Sequence, residues 1–267
     1  MHEWCQFSCA NPGHIDEIMP TATATAEDRL DVRKGIPDLA MRLFVGFGVL
    51  TLVCVAILIA GKLYGRTLIH AGHTSSTERF ELKIGADRLS IPANMIRKDE
   101  QRHSGRTKRV DLYIHWPSIS GFRDHLAAEF NNVDPETNSI VFISIMTRAT
   151  TRDMAGRFDP VYRKVMTGGP LAAGPELLAH TLSAEHGYIS ERLVYSAPGV
   201  RGGERFVARC QDPDAAQVVL APCETEIHFG QTLTAQIRFP ARLLIEWRGL
   251  HVALPVFLND LLAAGSD

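Results

Sequence analysis

Hydrophobic residues along this chain follow three regimes. From Leu43 to Gly61, LFVGFGVLTLVCVAILIAG, no charge interrupts the run. Further on come short stretches that alternate apolar and polar positions, the period of two that marks half-buried strands. Near the C-terminus the apolar spacing lengthens to three and four, the period of a helix packed on one side. Together the patterns predict an α+β protein. One N-terminal transmembrane helix precedes a mostly antiparallel β-sheet domain with a few helices, including a C-terminal one.

The charge-free run holds 19 residues. As a helix it spans about 28 Å, close to the hydrocarbon thickness of a bilayer. Arg42 closes one end; Lys62 and Arg66 close the other. A buried core helix is rarely apolar on every face for so many turns. A cleavable signal peptide has a shorter apolar region and leaves through a small-x-small exit. Here the exit reads Leu58-Ile59-Ala60-Gly61, with bulky Leu58 where a small residue belongs, and Cys54 follows Val53 inside the run. The segment therefore reads as an uncleaved signal anchor, a transmembrane helix over 42–64.

Lys and Arg near the two ends set the expected orientation. Arg29, Arg33, Lys34 and Arg42 lie upstream, against Lys62, Arg66 and Arg79 downstream. The small upstream excess predicts a single-pass protein of the cell (inner) membrane, with a cytoplasmic N-terminus and a periplasmic or extracellular C-terminal domain. Tyr64 suits the outer headgroup level. Gly61 and Gly65 form a G-x-x-x-G, but it includes Lys62 and sits at the membrane edge, so plain helix-end glycines are the simpler reading.

Around this anchor the chain divides into a disordered cytoplasmic tail over 1–41, a juxtamembrane linker over 65–77 and an extracytoplasmic domain over 78–267. The tail carries a Thr-Ala repeat that cannot bury a core, and Met19 is an alternative start. The last region, roughly 190 residues, is long enough for one domain with a proper core.

Within it, Arg79 to Ile84 and Arg88 to Ile91 flank Gly85-Ala86-Asp87 and predict a hairpin. Val110 to Trp116 predicts a strand with Val110, Leu112 and Ile114 on one face and Tyr113 and His115 on the other. Phe122, Leu126 and Phe130 recur every four residues and predict a short helix. Ser139 to Thr147 is apolar on both faces apart from Ser144, as a strand inside a sheet would be. A helix starting near Asp159 accommodates Pro160 in its first turn. Gly168-Gly169-Pro170 breaks the chain, and Gly174-Pro175 opens a short helical piece through Leu178. Strands follow at Tyr188 to Tyr195, Phe206 to Cys210, Glu226 to Phe229 and Leu233 to Phe239. Leu243, Trp247, Leu250 and Leu254 then form one helical stripe, Pro255 kinks or restarts the helix, and Val256, Leu258, Leu261 and Leu262 continue its apolar face.

Composition adds little to this picture except by exclusion. A net charge of −2 argues against a nucleic-acid partner. Of five cysteines, only Cys210 and Cys223 belong to the domain, and in an oxidising compartment they form a disulfide candidate. Arg97 to Arg109 carries six Lys/Arg against two acids. Arg97, Lys98, Arg102, Arg106, Lys108 and Arg109 make it a candidate patch for phospholipid headgroups or an acidic partner, with a solvated loop as the plainer reading.

No nucleophile elbow, zinc helix, phosphate loop, dinucleotide fingerprint or Cys-x-x-Cys occurs. Cys5 and Cys9 with His2 and His14, and His70 with His73, lack the spacing and further ligands of a metal site. The remaining histidines worth weighing are His115 beside Trp116, His180 and His186 with Glu185 between them, and His228. Ordinary structural histidines are the simpler reading, and Trp116 and Trp247 read as core or partner anchors. No cofactor is implied and the oligomeric state is open. The favoured reading is a non-catalytic, membrane-anchored domain that binds or scaffolds envelope partners. The alternative is a tethered envelope hydrolase whose site follows no known motif.

Overall fold

The structure, a computed structural model, describes residues 26–70, 72–198, 204–216 and 219–263. The expectations for Cys5, Cys9, His2, His14 and Met19, and for the side chains of Tyr64 and His70, lie outside the described residues. The chain forms two compact units, Met1–Leu63 and Tyr64–Asp267.

Among the described residues the first unit is one helix. It runs over Ala26–His70, past the end of that unit, so residues 26–41 and 65–70, expected as tail and linker, are helical. Once a helix has nucleated, each added residue gains a hydrogen bond at little cost, and the flanking segments follow the apolar stretch. Its 23-residue segment Leu39–Gly61 is long and apolar enough to cross a membrane and is exposed throughout. The one hydroxyl of that stretch, Thr51, donates to the Phe47 carbonyl at 2.8 Å, so its polar group is satisfied within the helix.

The second unit holds two sheets. In the smaller, β1 (Arg79–Ile84) and β2 (Asp87–Pro92) form the expected hairpin, with β3 (Gly105–Arg106) parallel to β1. Gly85 turns it at φ +59, where a Cβ would meet Thr147 and Thr232 at 2.8 Å. The buried Asp87 carboxylate accepts the Gln231 and Thr232 amides, each at 2.8 Å, and the Thr232 hydroxyl at 2.6 Å. It thereby fastens the hairpin to a turn of the larger sheet.

That larger sheet has eight antiparallel strands. They are β4 (Arg109–His115), β5 (Ile140–Thr147), β6 (Met166–Ala172), β7 (Leu177–Leu182), β8 (Glu191–Ser196), β9 (Val207–Gln211), β10 (Cys223–Phe229) and β11 (Leu233–Phe239). Their order is β4-β5-β11-β10-β9-β8-β7-β6. After β5 the chain crosses to the far edge, lays down β6, and meanders back until β11 pairs with β5. Two expectations fail in the crossing. Gly168-Gly169-Pro170 lies in a bulge inside β6 instead of ending structure, because a bulge tolerates residues that a regular ladder does not. The helical piece expected through Leu178 is instead the start of β7, since pairing with β8 satisfies its backbone.

Side chains alternate across the sheet as the strand period demands. On one face Val110, Leu112 and Ile114 join Ile143, Ala235, Ile237 and Val194 in the main core. The C-terminal helix Trp247–Asp260 packs there through Trp247, Leu250, Leu254 and Leu258. The helix continues through Pro255. Val256 points outward and Phe257 takes its place in the core.

Among the described residues, apolar clusters cover the opposite face at its ends. At one end Phe122, followed by a single helical turn Ala127–Phe130, packs on Tyr113 and Ile140. At the other, Met154, Phe158 and Tyr162 pack on Leu193, Tyr195 and Val207. Phe158–Val165 is a helical turn with Pro160 near its start, as expected. Between these covers the face is polar and open.

Candidate functional site

Register explains how distant residues meet on that open face. Tyr113 lies opposite Phe142, Phe142 opposite Arg238, Arg238 opposite Glu224, and Glu224 opposite Arg209. Residues opposite one another in an antiparallel ladder share a face, so this row crosses five strands. The next row contains Asp111 opposite Ser144 and Ser144 opposite Gln236.

The basic run reaches this face at its two ends. The Arg97 amide donates to the Asp111 carbonyl at 2.9 Å, and Ile96 bridges to Leu112, so the segment lies alongside β4. The Arg97 guanidinium stands over the Phe142 ring, 5.1 Å from its centre. Lys98 Nζ lies 3.0 Å from Asp111 Oδ2. Arg109 donates through Nε to Asp111 Oδ1 at 2.6 Å and through Nη2 to Ser144 Oγ at 2.7 Å. From β11, Arg238 donates Nε to Glu224, at 2.9 Å. Glu224 also accepts Gln236 Nε2 at 3.0 Å.

The basic residues, with Asp111, Phe142, Ser144 and Gln236, line a cleft of about 450 Å³ bordered by Val219, Leu220 and Ala221. Four cations, Arg97, Lys98, Arg109 and Arg238, line it with one carboxylate, Asp111.

Three of the six basic residues singled out in the sequence therefore meet here. Arg102 does not: it donates to the Ile96 and Gly72 carbonyls and pairs with Asp99, as a structural tie. Arg106 and Lys108 are exposed outside the cleft lining. Arg238, Gln236, Asp111 and Ser144 were not singled out as partners of the run. The available signal was polar residues at alternate positions of otherwise apolar strands, and Ser144 was its visible member.

Burial alone would raise the Asp111 carboxyl, but the Ser144 hydroxyl, Lys98 and Arg109 outweigh it and hold the group at about 2, below its ordinary 3.8. A depressed carboxylate contributes stability that is complete above its unfolded value and is lost as pH falls through the folded one. Asp111→Asn is therefore expected to flatten the loss of stability between about pH 4 and pH 2. Urea midpoints of both proteins across that range check this. Asp87, held low in the same direction by its own hydrogen bonds against burial, contributes equally to both and cancels. Parallel pH profiles would refute the assignment.

A second cleft, of about 920 Å³, opens elsewhere on the domain. Ala179, Val194 and the Cys210–Cys223 pair line it, with Arg192, Arg242 and Leu244. Cys210 and Cys223 are opposite one another on β9 and β10 and form the expected disulfide. The loop this bridge closes contributes to both clefts: Pro213 and Ala216 line the larger, and Val219 to Ala221 line the cationic one.

The candidate catalytic histidines each have a separate structural partner. His115 Nδ1 lies 2.9 Å from Ser118 Oγ. His180 stacks on Tyr195 and meets its hydroxyl at 3.0 Å. His186, exposed beside exposed Glu185, meets Ser183 at 3.2 Å. His228 meets Glu226 at 3.3 Å, and Glu226 already accepts Arg157 at 2.6 Å. His73, considered above only for metal, stacks on Phe122 and reaches the Tyr113 hydroxyl at 2.9 Å. Trp116 and Trp247 act as anchors, bonding Glu246 and the Pro175 carbonyl, each at 2.9 Å.

No protein-family profile matches the chain. No curated protein matches its sequence. Among solved structures, Smlt3025, an immunity protein of the Stenotrophomonas maltophilia type IV secretion system, is similar at 17% identity and a TM-score of 0.38, over 72% of this chain and 96% of that one. The Neisseria meningitidis iron-regulated outer membrane lipoprotein FrpD is similar at 11% identity and a TM-score of 0.40, over 69% of this chain and 93% of that one. Likenesses this distant assign no activity and no partner.

Proposed function

We propose that this is a single-pass membrane protein whose sheet domain stands outside the cytoplasm and binds an envelope protein partner without catalysing a reaction. The apolar run over 42–64 is the membrane span and the chain before it is cytoplasmic. The observation that carries this reading is the Cys210–Cys223 pair, placed face to face on neighbouring strands and bridged. Such bridges form and persist in oxidising compartments. An apolar helix whose side chains over Leu39–Gly61 are exposed among the described residues supports the span, and the excess of Lys and Arg before it supports the orientation. Two clefts lined by arginines and small apolar side chains support binding, since the histidines that a hydrolase would draw on are engaged apart from one another.

Fusions placed after Asp267 test the topology. An alkaline phosphatase fusion is expected to be active and to keep its full length. A fluorescent protein fusion exported through the general secretion pathway is expected to stay dark. A bright fluorescent fusion with an inactive phosphatase would reverse the orientation. A mature N-terminus near Gly61 would make the helix a cleaved signal.

A further inference from the structure

We propose that the cleft between Arg97 and Arg238 is a binding site for an acidic protein segment, an extended run of Glu or Asp side chains. This rests on the reading of the domain as a binder, and it names the site and the chemistry of the partner.

The two arginines differ from their neighbours in what remains for a ligand. Lys98 and Arg109 already neutralise Asp111. Arg97 has no carboxylate partner among the described residues and is held by the Phe142 ring. Arg238 gives Nε to Glu224, is 62% exposed and lines the cleft. Arg238 is also the register partner of Phe142, the residue whose ring Arg97 covers, so both arginines belong to the same part of the floor. Planar guanidiniums fixed by stacking or by one bond lose little freedom on taking a carboxylate.

The walls decide between sources of negative charge. Phe142 and the border at Val219 to Ala221 are apolar. An extended peptide supplies carboxylates on one side and a chain to lie along that border. A bilayer surface is flat on this scale and does not follow a concave cleft of about 450 Å³. Neighbouring strands lie about 4.8 Å apart. The cleft floor from β4 across β5 to β11 is thus roughly 10 Å wide, enough for two or three extended residues.

The test uses the full chain in a neutral detergent, with no anionic lipid present, and a fluorescein-labelled hexaglutamate peptide read by anisotropy at low salt. Arg97→Gln with Arg238→Gln is expected to weaken binding about tenfold. Arg106→Gln with Lys108→Gln removes the same charge outside the cleft and is expected to change it less than about twofold. Equal melting temperatures of the two double variants show that folding is retained; if the first pair melts lower, Arg97→Lys, which keeps the charge and loses the planar fork, replaces it and is expected to weaken binding severalfold. Equal losses from both pairs would mean diffuse attraction and overturn the site. Failure of the wild-type chain to bind the peptide would do the same, and is the result expected if lipid headgroups were the ligand. Neither result bears on topology, which the fusions decide separately.

Discussion

Trp247→Ala is expected to cost the domain about 3–5 kcal/mol, a large share of the roughly 5–15 kcal/mol that holds an ordinary domain together. Trp247 is 1% exposed and lies where the C-terminal helix meets the main core. Its ring packs against Phe206, 5.5 Å between centres. Its Nε1 donates to the Pro175 carbonyl at 2.9 Å and so ties the helix to the entry of β7. Alanine leaves a cavity and also strands that carbonyl without its donor. Trp247→Phe keeps most of the apolar volume and loses the bond, so it should fall between wild type and alanine. Urea unfolding of the three chains in the same detergent gives the ordering. A loss under about 1 kcal/mol for alanine would show that the helix is not fixed by this residue.

Removal of the disulfide is the second large effect. Cys210 and Cys223 close the loop over 211–222, which holds Pro213 and Pro222. For a loop of this size the chain-entropy account gives about 3 kcal/mol. In a domain this large that lowers Tm by roughly 6–12 °C. Cys210→Ser, Cys223→Ser and the double variant should melt alike, because each removes the same cross-link. The double variant should also bind hexaglutamate more weakly, since one border of the cationic cleft belongs to this loop. Peptide mapping after maleimide labelling of denatured, unreduced protein settles the bridge. If both cysteine peptides carry label, there is none.

Much of the fold could be read from period alone, and the exceptions have physical reasons. Leu233–Phe239 alternates without a break and is β11, residue for residue. The two faces of β4 were visible because Val110, Leu112 and Ile114 interleave with polar or aromatic neighbours. β7 was not, because Leu177 and Leu178 are adjacent apolar residues that period cannot separate from a helix. The basic run was visible as composition. Sequence order, however, put Arg102, Arg106 and Lys108 beside Arg97, whereas β-pairing substitutes Arg238 for all three. That pairing depends on a contact between β5 and β11, which no local pattern specifies.

The same contact sets the order of events when the chain is made. Phe142 waits for Arg238, and Ile143 for Ile237, until every earlier strand of the sheet has been synthesised. Meanwhile β5, largely apolar on both faces, offers an unpaired edge to any passing chain. A domain closed by the last strand of its sheet cannot fold piecemeal as it emerges. Translation has to deliver β11 before the sheet exists as one surface. A product truncated before Leu233 is therefore not a smaller domain. It is an open edge seeking a strand from a neighbour.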